Sequence, residues 1–182
     1  MTTETTTPPA RRPGRLRPFV WGGLAALLSL PLIAMQFTAE VDWSPFDFLF
    51  MGVMLSLVGG GYELAVRLSD SLAFRAAMGL AVVASFLLVW INLAVGIIGS
   101  EDNPANQMFV AVLAVLFVGS LIAGFKALRM AYVLVAVAAT QVAVAVIALV
   151  AGFGMIFPIT AMFCAFWLLS AWLFRKAGAV RP

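Results

Sequence analysis

The sequence predicts an all-α polytopic membrane protein: a bundle of six transmembrane helices with both termini cytoplasmic. Three observations carry that prediction. Of the 182 residues, 64% are hydrophobic and only 10% charged, with a mean hydropathy of +1.08, whereas a soluble domain is about half apolar and roughly a quarter charged. Several uncharged runs reach the roughly 20 apolar residues that one helical crossing needs. All 11 basic residues also fall on one side of the crossings those runs define.

The elements follow from the charges that interrupt the apolar runs. The first crossing, 18–39, lies between Arg17 and Glu40. A basic segment precedes it, but its apolar run is longer than a signal-peptide core, and no small-x-small cleavage pattern ends it, so it reads as an uncleaved helix. Residues 1–17, rich in Thr and Pro at the start and basic at the end, read as a disordered cytoplasmic tail. The second crossing, 46–66, is the doubtful one, because Asp47 and Glu63 intrude. The third and fourth are 76–99 and 104–125. The uncharged run 130–174 holds two more, 130–150 and 156–174, turning at Gly152, Gly154 and Pro158. Residues 176–182 form a short cytoplasmic tail.

Sidedness decides for the doubtful crossing. With six helices and the N-terminus inside, Arg67, Arg75, Lys126, Arg129, Arg175 and Lys176 join the terminal arginines on the inner side. Glu40, Asp42, Asp47, Glu101 and Asp102 lie outside with no basic residue among them. Removing the second crossing would carry Arg67, Arg75, Lys126 and Arg129 outward, against the positive-inside rule. Both termini are thereby expected on the cytoplasmic side.

Composition narrows the chemistry. There is no histidine and a single cysteine, Cys164. Imidazole-ligated metal or haem sites, histidine-based catalysis and intramolecular disulfides are therefore excluded. No catalytic, metal or cofactor site is expected, and no nucleic-acid partner. The expected partners are the lipid bilayer and a further membrane protein or second copy.

In lipid, helices associate through small residues and interhelical hydrogen bonds, so stripes of such residues mark the inward faces. Those expected here are Gly22, Ala26, Ser29 and Gln36 on the first helix, and Gly52, Ser56, Gly59 or Gly60, and Glu63 on the second. The third carries Ser85, Asn92, Gly96 and Gly99, and the fifth Ala138, Gln141, Ala145, Ala148 and Gly152. Asn92, Gln141, Glu63 and Gln36 are accordingly the candidate interior or ligand-contacting residues. Counted from the outer helix ends, Asn92 and Gln141 lie at depths differing by only roughly 3 Å, within reach of each other. Glu63 follows three glycines and precedes Arg67 by four residues, the favourable order for a helical ion pair. The alternative for Glu63 is a protonatable carboxylate beside a flexible glycine hinge. Cys164 reads as an inert packed thiol; Trp21, Trp43 and Trp172 read as interfacial anchors, and Trp90 and Trp167 as packing.

A second candidate group lies at the outer mouth: Glu101, Asp102, Asn103 and Asn106. Asn103 followed by Pro104 is a helix-start signal, with the two carboxylates beside the positive end of the fourth helix. The competing reading is a polar or cation site built from hard oxygen ligands. The run from Ile91 to Asn106, with the later segment ending in Ala171-Trp172-Leu173-Phe174-Arg175-Lys176, resembles small uncharacterised inner-membrane proteins of proteobacteria. That resemblance implies a compartment and a fold but no reaction.

Three function classes follow. A non-enzymatic accessory or lipid-interacting membrane component comes first, for its scarcity of inward ionisable groups. A small transporter or channel for a polar solute or ion comes second, on Asn92, Gln141 and Glu63. A membrane-embedded enzyme is third and would rest on Glu63 or the Glu101/Asp102 pair.

Overall fold

The computed structural model describes residues 16–179, and every regular element among them is helical. In chain order these are α1 (Arg17–Ala34), α2 (Pro45–Leu68), α3 (Leu72–Ala94), a 3-10 turn (Pro104–Met108) leading into α4 (Phe109–Ala123), α5 (Ala127–Val150) and α6 (Phe157–Ala179). With the 3-10 turn counted into α4, all 6 are long and apolar enough to cross a membrane. The expected tail falls outside the described residues up to Arg15, as do residues 180–182, while Arg17 already belongs to α1.

Several helix ends are set by capping groups rather than by charges, which corrects several expected boundaries. The α2 helix opens with a reciprocal box. The Asp47 carboxylate accepts from both the backbone N–H and the hydroxyl of Ser44, at 2.8 and 2.7 Å, and the Asp47 N–H returns a bond to Ser44 Oγ at 3.3 Å. It then runs past Glu63 and Arg67 to Leu68. The α3 helix begins at Leu72, before the expected residue 76, because Ser71 caps it by accepting from the Phe74 N–H at 3.4 Å. Arg75 therefore sits within the first turn. Its Nε donates to the Ser69 carbonyl at 2.8 Å and its guanidinium pairs with Asp70 at 3.0 Å.

Both α4 and α5 close with a left-handed glycine. Gly124 has φ +57° and Gly152 φ +80°. In each case the next amide reaches back five residues, Phe125 to Ser120 O at 3.4 Å and Phe153 to Ala148 O at 2.9 Å. The α6 helix passes Arg175 and Lys176, and Lys176 lies 3.8 Å over the Trp172 ring. The α1 helix stops at Ala34, short of residue 39; Pro31 lies in its final turn, and the Thr38 hydroxyl then accepts from the Glu40 N–H at 3.1 Å to turn the chain.

The chain divides into two compact units, Met1–Gly59 and Gly60–Pro182. In the first, α1 buries none of its residues, so its expected inward stripe, Gly22, Ala26 and Ser29, is exposed along its length. Gly59 seats the Trp21 indole: a Cβ there would lie 2.7 Å from the ring. In the second unit, α6 packs against both α3 and α5, and α5 against α4. The buried residues of α6 follow a 3-4-3-4 spacing, Thr160, Phe163, Trp167, Ser170 and Phe174, so one face carries the whole contact. Facing it are Ala77, Ala81, Ala84 and Leu88 of α3, and Leu134, Ala138, Gln141, Ala145 and Ala148 of α5. Alanines on α3 and α5 let the backbones approach, and the aromatics of α6 fill the space between. Phe74 meets Phe174 edge-on at 5.2 Å.

Candidate functional site

Two cross-helix contacts fix the register of this interior. Cys164 Sγ of α6 lies 3.6 Å from the Ala138 carbonyl of α5. The Ser170 hydroxyl donates to the Ala77 carbonyl of α3 at 2.7 Å, a buried bond between residues 93 apart in sequence. Because α6 runs antiparallel to both neighbours, Gln141 lies level with about residue 161, beside Thr160. Asn92 lies level with about residue 155. The two amides are thus separated by about six residues along the axis, roughly 9 Å. This corrects the expected similar depth. Counting from helix ends misplaced Asn92, because α3 ends at Ala94 rather than at residue 99.

Gln141 has the expected inward position: it is fully buried at 0% exposure, and neither atom of its carboxamide has a protein partner. Asn92 is half-buried; its amide donates to the Leu88 carbonyl one turn back at 2.8 Å, leaving its buried Oδ1 unmatched. Two residues outside the expected stripes join them. Thr160 is 4% exposed and Trp167 0%, and the Thr160 hydroxyl and Trp167 indole nitrogen are likewise without partners. The signal for both was the 3-4 repeat of α6, which a count of small residues alone passes over. An unmatched buried amide or hydroxyl costs roughly 1–3 kcal/mol, so these groups stand out in an otherwise apolar interior. The other buried polar side chains of the described residues are Ser120 and Ser170.

Two further candidates are placed differently. Gln36 lies beyond α1, exposed, with its amide 3.4 Å from the Leu32 carbonyl. It is not an interior residue, since α1 ends before it. Glu63 is half-buried near the end of α2, with Arg67 exposed four residues on. The preceding glycines serve packing at two positions: a Cβ at Gly59 would meet Trp21, and one at Gly61 would lie 2.6 Å from Val82.

The α3–α4 connection is more elaborate than punctuation. Gly96 and Gly99, expected on the α3 stripe, lie beyond the helix with φ of +70° and +71°. At Gly96 a Cβ would collide with the Ser100 carbonyl, so only glycine fits. The fold-back buries Ile97 and Ile98 in the core with Phe109 and Ile156. Asn106 holds it. Its Oδ1 accepts from the Ile97 and Ile98 amides at 3.0 and 2.8 Å, and its Nδ2 donates to the Ser100 and Ile98 carbonyls at 2.7 and 3.3 Å. Asn103 caps the 3-10 turn, accepting from the Ala105 N–H at 3.0 Å. The whole Asn106 carboxamide and the Asn103 Oδ1 are therefore bonded to backbone, as capping requires. Glu101 and Asp102 are exposed. Among the described residues no group of three or more His, Cys, Asp or Glu is placed to hold a metal ion.

The architecture these observations define is that of an all-α chain with six membrane-spanning-capable helices. No known protein family, curated protein or solved structure matches it.

Proposed function

We propose that the protein is a non-catalytic, multi-pass membrane component in contact with lipid, an accessory body rather than a conduit. The carrying observation is the interior of the second unit, where Trp167, Phe163, Phe174, Leu88 and Leu134 fill the space among α3, α5 and α6 at 0% exposure. Among the described residues the buried polar side chains, Ser120, Gln141, Thr160 and Ser170, are all neutral. A close-packed interior of this kind resists the rearrangement that alternating passage requires. The wholly unburied α1 supports a lipid-contacting role, since its apolar side chains have hydrocarbon as their natural surroundings. The one-sided basic residues support cytoplasmic termini, and the resemblance to small proteobacterial inner-membrane proteins supports a bacterial inner membrane. Native mass spectrometry of protein released from mild detergent should show retained phospholipid, and proteoliposomes should show no saturable flux of polar solutes. Saturable flux would overturn the reading.

A second reading, a small transporter for a neutral polar solute, is favoured by one observation: unmatched polar atoms of Asn92, Gln141, Thr160 and Trp167 lie inside the helices. The same flux measurement separates the two. Replacing Gln141 with Leu would abolish transport under this reading and leave an accessory body intact.

A further inference from the structure

We propose that the second unit contains an internal water-binding position between the Gln141 carboxamide of α5 and the Thr160 hydroxyl of α6. Gln141 is entirely buried, and both its Oε1 and Nε2 lack a protein partner; Thr160 is 4% exposed and its hydroxyl is in the same condition. The Cys164–Ala138 contact brings the two to one level on antiparallel helices. They also turn to the same side of the contact line. Gln141 is three residues after Ala138 and Thr160 four before Cys164, rotations of about 60° and 40° toward the side on which Ser170 reaches α3.

Thr160 leaves unused the ordinary helical solution for a hydroxyl. Ser85 and Thr140 return their hydroxyl hydrogens to the carbonyl one turn back, at 2.8 and 2.9 Å. Thr160 does not, so its hydroxyl stays available to a guest. The guest must be neutral, because the buried polar side chains of the described residues carry no charge to compensate an ion. It must also be small, because Phe163 and Leu88, both fully buried, occupy the space around this level. The alanines flanking Gln141 on its own face, Ala138 and Ala145, leave the room that larger side chains would take. A water molecule accepting from Nε2 and donating to Thr160 Oγ satisfies one atom of each residue, within the range of about two to four hydrogen bonds that buried waters make. The position is independent of the proposed role, since an accessory body and a conduit would both retain it.

The test is a structure of the full-length protein, in nanodiscs, at a resolution that shows ordered water. Density within hydrogen-bond distance of both Gln141 and Thr160 is expected, and it should vanish in Thr160→Val. A direct hydrogen bond between the two side chains, or Gln141 turned onto backbone with no density beside it, would overturn the proposal. If Thr160→Val does not fold, the wild-type map alone decides. In solution, hydroxyl radicals generated from bound water should oxidise the buried Phe163 several-fold more in wild type than in Gln141→Met. Equal or absent oxidation would also count against it.

Discussion

Asn106 grips Ile98 by both of its peptide groups, its Oδ1 taking the Ile98 N–H at 2.8 Å while its Nδ2 gives a hydrogen to the Ile98 carbonyl at 3.3 Å. One side chain thereby stands in for two rungs of regular structure and keeps a buried isoleucine, 0% exposed, seated where no helix or strand could hold it. With the bonds to Ile97 and Ser100 it makes four in all. Asn106→Leu removes them all and should destabilise the protein by about 2–4 kcal/mol, at about 1 kcal/mol per bond. Asn106→Asp keeps the acceptor bonds and loses the donor ones, so it should fall between. Thermal unfolding in detergent would rank the three proteins.

Two glycines should respond in opposite directions. Gly96→Ala places a Cβ against the Ser100 carbonyl at a left-handed φ of +70° and should cost about 2 kcal/mol or more. Gly60 lies within α2, and a methyl group added there would meet nothing inside 4 Å, so Gly60→Ala should stabilise by up to about 1 kcal/mol through helix propensity. A destabilised Gly60→Ala would indicate that α2 must bend there.

Asn92→Leu and Gln141→Leu should act additively on unfolding, within about 0.5 kcal/mol. The register separates them by roughly 9 Å, and the Asn92 amide hydrogen goes to Leu88. A larger coupling energy in a double-mutant cycle would show that the helices shift enough to bring the amides together.

Ser170→Ala should cost about 1 kcal/mol, the ordinary worth of its bond to the Ala77 carbonyl. The loss should be read as easier unfolding in denaturing detergent, with helical content unchanged.

The proposed sidedness is testable with cysteines introduced on a Cys164→Ser background, which removes the free thiol. Positions 42 and 102 should react with an impermeant thiol reagent in intact cells, and position 129 should not. Labelling at 129 would end the topology in which both termini are cytoplasmic.

The six apolar crossings were legible because hydrocarbon demands long uncharged runs, and no tertiary detail alters that demand. The inward position of Gln141 was legible too, since alanines at helical spacing accompany it on α5. The boundaries were less so: charges suggested where helices should stop, yet Arg75 and Arg175 sit within helical turns because their long stems let the charged ends reach outward. Gly96 and Gly99 misled for a different reason. Small residues at a spacing of three suit a helix face and a chain reversal equally, and only the positive φ tells them apart. Trp167 is legible as a packing residue, but Thr160 is not, because its face is defined by aromatics rather than by small residues.

The Asn106 clasp also bears on the order of assembly at the ribosome. Its partners, Ile97, Ile98 and Ser100, precede it by nine residues at most. At a synthesis rate of about 5–20 residues per second, the loop can close within roughly two seconds of Ile97 emerging. Its short span adds little closure entropy. The Ser170–Ala77 bond, by contrast, spans 93 residues and must wait for nearly all of α6. Helices α3 and α4 are thus able to enter the bilayer as one pre-joined hairpin, with α6 arriving afterwards to dock between its neighbours.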